Sequence, residues 1–181
     1  MMLLRPLLEH GENPDEWLPV SVAAGVDRSM GADIRCVYQV SGDLSSVRWP
    51  TPVEVRRADG LWKHTCFEAF VGTAGDARYL EFNWSPSLAY AAYQFRGYRQ
   101  QGADLLLSPP SVHVEKADGL LRLSASVPAA AWPEGSLQVG LSAVLEDSTG
   151  KCHYFALRHP KGQPDFHDRD GFVWAFQTTG V

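Results

Sequence analysis

The sequence predicts an all-β fold, an antiparallel β-sandwich or jelly roll in a single domain. Three observations carry that expectation. Short runs alternate apolar and polar residues with a period of two. Sixteen Gly and twelve Pro fall between these runs at turn-like intervals, not gathered into a linker. No long stretch shows the helical period with capping residues, and only residues 85–92 leave room for a turn or two of helix. Many short strands with one apolar and one polar face bury themselves by stacking in layers.

Residues 33–40 set Ile34, Cys36, Tyr38 and Val40 on one side of a strand. Residues 65–71 and 78–84 form two strands around the loop 72–77. Residues 111–116 pair with 120–127 through the Ala117-Asp118-Gly119 turn, which directs Leu121, Leu123, Ala125 and Val127 one way and Arg122, Ser124 and Ser126 the other. Residues 137–145 alternate more cleanly still, and the turn at 147–150 leads into a strand at 152–158. A last strand, rich in aromatics, occupies 172–177. The expected core includes Phe67, Leu80, Phe82, Leu121, Leu123, Leu141 and Ala143.

A chain of 181 residues fits one domain, here 1–181. Folding at that size buries roughly 70% of the unfolded surface, so no disulfide or metal staple is required. The 45% hydrophobic and 20% charged content excludes a disordered or collagen-like chain. Sixteen Lys+Arg against twenty-one Asp+Glu leave a net charge of -5, which offers phosphates no attractive field and argues against nucleic acid as a partner. No apolar run approaches the ~20 residues that span a bilayer, so no membrane partner is expected. Arg5, Pro6 and Glu9 interrupt any signal-peptide core, and Cys36, Cys66 and Cys152 are odd in number and dispersed. Reduced thiols and a cytoplasmic location are the corresponding expectations.

The hairpin 65–84 carries the chemistry. With Val71 opposite Arg78, Phe67 meets Phe82 and Ala69 meets Leu80 on the core face. The other face then pairs Cys66 with Asn83, Glu68 with Glu81 and Phe70 with Tyr79. A slip by one residue would turn the apolar set outward, whereas a slip by two keeps every side chain on its face. Two carboxylates directly opposite, with Cβ atoms roughly 5 Å apart, repel each other. Either water solvates both on an ordinary outer face, or a cation, a shared proton or a ligand hydroxyl sits between them. Trp62, Tyr79, Tyr93 and Tyr98 cluster nearby, and Arg96 and Arg99 are local counter-charges. Aromatic plates beside carboxylates and an amide suit a polyhydroxylated ligand, because rings cover sugar C–H faces while carboxylates accept hydroxyl hydrogen bonds.

A second polar cluster spans 159–170, with His159, Asp165 and His167 as rim residues of the site. These side chains are adequate zinc or calcium ligands, but no tight ligand motif is present and the stretch also reads as a loop whose Asp residues cap backbone amides. No metal is expected. An enzyme would use Glu68 and Glu81 as acid and base, as glycosidases pair carboxylates ~5–9.5 Å apart. No nucleophile elbow, P-loop or dinucleotide fingerprint accompanies them, so a binding role without catalysis is favoured.

The strings LWKHTCFEAFVG, YLEFNWSPS and AYQFRGYR, with GLSAVLED and HPKGQPDFHDRDGF further on, resemble the DOMON-like superfamily, which includes domains similar to family 9 carbohydrate-binding modules. The resemblance covers about 20–176. It implies an antiparallel β-sandwich that binds a sugar or haem, and it places Trp62, Glu68, Glu81 and Asn83 where related modules contact or shape the sugar site. With neither a signal peptide nor a partner catalytic domain visible in the sequence, the chain is expected to resemble the free-standing bacterial members. Haem, the alternative ligand, needs an axial donor. Met1 and Met2 are terminal and Met30 falls in an expected turn, which leaves His64, His113 and His153, with no CxxCH attachment site.

Overall fold

A computed structural model of the chain describes residues 2–28, 33–105 and 107–178. Met1 and Met30 lie outside the described residues. Among the described residues, thirteen strands account for the architecture: β1 (Arg5–Glu9), β2 (Val20–Arg28), β3 (Asp33–Gly42), β4 (Arg56–Arg57), β5 (Cys66–Thr73), β6 (Tyr79–Trp84), β7 (Ala89–Phe95), β8 (Gln101–Asp104), β9 (Ser111–Ala117), β10 (Leu120–Pro128), β11 (Gly135–Glu146), β12 (Cys152–Ala156) and β13 (Trp174–Thr178). Short 3-10 turns join some of them, and no α-helix occurs among the described residues.

The strands hydrogen-bond in the order β4-β7-β6-β5-β11-β12-β1-β2-β3-β10-β9, with β8 added to β7 and β13 to β11. All pairings are antiparallel except β4 with β7. The path is continuous because β1 pairs with both β2 and β12. The sheet curls so that its two halves close over one core. Tyr38 of β3 lies 5.0 Å from Phe67 of β5, ring centre to ring centre, and its hydroxyl donates to the Glu68 carbonyl at 2.6 Å. Phe67, Phe82, Leu121, Leu123, Leu141 and Ala143 are all buried in that core, and Leu80 packs against it partly buried.

The segment allowed a helical turn is instead a tight turn followed by β7. The Leu88 N–H donates to the Ser85 carbonyl and the Ser85 N–H to the Ala89 carbonyl, both at 2.9 Å. Tyr90 and Ala92 then face the core while Ala91, Tyr93 and Phe95 face the other way. That alternation satisfies both faces of a strand, which a helix of the same residues would not.

The half-sheet of β5, β6 and β7 is covered on both sides. Its second face carries a separate apolar cluster of Phe70, Tyr79, Ala91, Tyr93, Phe95 and Phe172. The chain between β12 and β13 roofs this face, and there the functional residues gather.

Candidate functional site

Hairpin β5–β6 keeps the expected parity but slips by two residues. Glu68 faces Asn83, and Glu81 faces Phe70 on one side and Tyr93 on the other. The expected direct opposition of Glu68 and Glu81 is therefore corrected to a diagonal one, on the same face. The physical reason lies outside the hairpin. β11 fixes β5 from its other edge, pairing Ser142 with Glu68, and the 165–172 segment clamps the connecting loop. The Arg169 guanidinium donates to the Thr73 carbonyl at 2.9 Å and the Arg78 carbonyl at 3.2 Å, lying directly over Gly72. A Cβ at Gly72 would overlap that guanidinium.

Both carboxylates are buried. Burial, and then the charge of Glu81, raises Glu68 well above the usual carboxylate range. Burial likewise raises Glu81, against the opposing pull of the Asn83 amide and of Arg99. The Asn83 amide nitrogen donates to Glu81 Oε1 at 2.8 Å, and the Cys66 thiol to Glu68 Oε1 at 3.4 Å. Asn83 Oδ1 has no hydrogen-bond partner among the described residues although the side chain is 0% exposed.

Around the pair opens a cavity of about 730 Å3. Its walls include Glu68 and Glu81, the aromatic rings of Phe70, Tyr93, Tyr154 and Phe166, and Trp62 at the mouth. Trp62 is 52% exposed, which leaves a ring face free to meet a ligand. Asp59 and Asp104 stand on one rim, both engaged by Arg57 at 3.4 and 3.0 Å, and Asp59 also accepts from the Tyr93 hydroxyl at 2.9 Å.

The roof is docked by side chains that read as polar loop residues. Asp165 accepts from the Arg99 guanidinium at 2.9 Å and from the Tyr98 hydroxyl, and also caps the His167 backbone N–H at 3.0 Å. Arg99 has a left-handed backbone, φ 53°, unusual outside glycine. Its own N–H donates to the Tyr79 hydroxyl at 3.1 Å, which holds the conformation. That hydroxyl also meets His167 Nδ1 at 2.8 Å, so the other ring nitrogen is turned toward Glu81, 3.8 Å from Oε2. Burial first, then the Arg99 charge, lowers His167 to about 4, so the imidazole is neutral at pH 7. Phe166 packs on Phe70 and Tyr154, and Phe172 packs on Phe70 and Tyr79.

Of the nine residues expected at the site, Trp62, Glu68, Glu81, Tyr93, Arg99 and His167 line the cavity. Asn83 sits behind Glu81, and Asp165 props Arg99 from outside. His159 is elsewhere: its Nε2 donates to the Leu8 carbonyl at 2.8 Å, where it ties the roof to β1. Asp59, Asp104, Tyr154 and Phe166 were not foreseen, because they come from four separate parts of the chain. Only Phe166 carried a signal, its place in the HPKGQPDFHDRDGF string.

The three histidines considered for haem do not reach the cavity. His153 is held between Glu9 at 2.7 Å and Asp147 at 3.1 Å, His64 meets Glu146 at 2.7 Å, and His113 meets Ser111 at 2.8 Å. That set does not fit an axial ligand there. Among the described residues, no group of three or more His, Cys, Asp and Glu is placed to hold a metal ion. No helix among them is long and apolar enough to cross a membrane.

The fold is similar to that of solved carbohydrate-binding proteins. No protein-family model matches the chain, and no curated protein does. Solved structures do. A candidate carbohydrate-binding protein from Bacteroides uniformis superimposes with a TM-score of 0.70 at 16% identity, over 95% of this chain and 84% of that one. A family 9 carbohydrate-binding module from Caldicellulosiruptor kristjanssonii, in complex with glucose, gives a TM-score of 0.55 at 10% identity, over 99% of this chain and 85% of that one. A family 9 module from the same organism, in complex with cellotriose, gives 0.51 at 9% identity, over 89% and 75%. At these identities the likeness is one of fold.

Proposed function

We propose that the cavity binds a carbohydrate-like small molecule and that the protein is a non-catalytic binder. The observation that carries this reading is the combination of buried carboxylates, Glu68 and Glu81, with aromatic walls and a half-exposed Trp62 in one cavity of about 730 Å3. Cavities of roughly 300–1,000 Å3 with a few placed polar groups among rings are the usual form of small-ligand sites. The fold likeness to modules solved with glucose and cellotriose supports a sugar. In the same reading the chain is one DOMON-like domain of the cytoplasm, the two halves of its curled sheet act as the layers of a sandwich, and no cofactor takes part.

Calorimetric titration with a panel of mono- and disaccharides tests the reading. A ligand from the panel should bind the parent, and Trp62→Ala should weaken that binding severalfold while leaving the thermal midpoint within a few degrees. Binding unaffected by Trp62→Ala and by Tyr93→Phe would place the site elsewhere.

A further inference from the structure

The charges around the cavity are unevenly matched. Arg57 is engaged by Asp59 and Asp104, and Arg99 by Asp165. His167, the remaining basic side chain at the wall, has Nδ1 on the Tyr79 hydroxyl and stands 3.8 Å from Glu81. Among the described residues, no Lys or Arg comes within ion-pair distance of Glu68 or Glu81. Two carboxylates are thus buried on one face with thiol and amide donors and no cation in contact, the nearest charge on Glu81 being the more distant Arg99, already engaged by Asp165.

Their placement suits a single small positive group. Diagonal neighbours on antiparallel strands have Cα atoms ~7–8 Å apart and Cβ atoms somewhat closer, a gap that two carboxylate side chains can close around one ammonium nitrogen. Asn83, between them in the ladder and behind Glu81, keeps a buried carbonyl oxygen without a hydrogen-bond partner. The Ser142 hydroxyl, opposite Glu68 on β11, is buried beside them. Phe70, Tyr93, Phe95 and Phe166 form walls whose ring faces attract cations. A neutral sugar hydroxyl would meet these acceptors with ordinary hydrogen bonds. A charged donor offsets the cost of stripping water from an ionised carboxylate further than a neutral hydroxyl does.

We propose, building on the carbohydrate reading above, that the preferred ligand is an amino sugar, a hexose bearing a protonated amine, with its ammonium seated between the carboxylates of Glu68 and Glu81. The sugar ring lies along the aromatic wall toward Trp62. Acidic sugars are excluded by the same pair. Because burial raises both carboxyls in the free protein, seating the ammonium drives off the protons they hold at the working pH, and those protons go to the buffer.

Calorimetry of the full chain near pH 7 with D-glucosamine, D-galactosamine and D-mannosamine, each beside its parent hexose and its N-acetyl form, tests this. At least one amine should bind about tenfold more tightly than its parent hexose, the difference between a charge-assisted and a neutral hydrogen-bonded contact. The N-acetyl form, which keeps the ring and loses the charge, should lose that advantage. The apparent enthalpy should differ between phosphate and Tris buffers by the heat of the released protons. Glu68→Gln and Glu81→Gln, isosteric and therefore compatible with the fold, should each bring the amine-to-hexose ratio close to one. Equal affinity for amine and parent hexose overturns the proposal and leaves the carbohydrate reading standing. Failure of all three amines to bind overturns it as well. Binding of 2-aminoethanol as tightly as the best amine, with every hexose silent, overturns both.

Discussion

On the inner face of β5, β6 and β7 stand Phe67, Ala69, Phe82, Trp84, Tyr90 and Ala92; on the outer face of the same strands stand Glu68, Phe70, Glu81, Asn83, Tyr93 and Phe95. Both sets are buried. The inner face is closed by another part of the sheet, through rings such as Tyr38, and contains apolar side chains in contact. The outer face is closed by a loop pinned at a few points, and it leaves a cavity with ionisable groups at its base. Burial by itself therefore does not distinguish core from site. What distinguishes them is whether the cover fits the surface, and whether the buried groups are apolar or need a partner.

The largest expected effect lies on the inner side. Leu141 is 1% exposed in the shared core, and Leu141→Ala should lower stability by about 2–5 kcal/mol, read from urea unfolding. A loss under 1 kcal/mol would mean that the two halves of the sheet are not tightly packed there.

The next effect belongs to the outer side alone. Glu68 and Glu81 have an ordinary pKa of 4.5 in the unfolded chain and raised values in the fold. The folded chain then holds protons that the unfolded chain has released. Their contribution to stability is complete below about pH 4.5 and is lost as pH rises through the folded values. While one such carboxyl titrates, stability should fall by up to about 1.4 kcal/mol per pH unit. The Glu68→Gln/Glu81→Gln double variant should flatten that slope and match or exceed the parent near pH 8, measured by urea unfolding across pH. An unchanged slope in the double variant would place the titration in other groups.

The smallest effects should come from the pins of the roof. Asp165→Asn keeps the side-chain shape but removes the charge that holds Arg99, a pair only partly buried, so stability should change by no more than about 1 kcal/mol. Hydrogen exchange in the roof, residues 163–171, should nonetheless speed up while exchange in β3 and β10 stays the same. Gly72→Ala should have the same signature, by pushing Arg169 off the Thr73 and Arg78 carbonyls. Equal acceleration in β3 would show that roof and core open together.

The sequence by itself determined the strands that alternate clearly and the face that each of their side chains takes. Period-two alternation is local, and so Phe67 and Phe82 went inward and Glu68, Glu81 and Asn83 outward on the strength of a few neighbours. Where alternation fades the reading failed. β7, with aromatics and alanines on both faces, passed for a possible helical turn, and β1, β2, β4 and β8 were not foreseen. Register, closure and partnership were decided only in the tertiary structure. A two-residue slip leaves every local pattern intact, so the choice between Glu81 and Asn83 opposite Glu68 fell to β11 and to Arg169 over Gly72, nearly a hundred residues further along the chain. The cavity has the same origin. Asp59, Tyr154 and Phe166 meet around the carboxylates because the sheet curls and the roof folds back, and no spacing within one segment encodes a contact made between segments.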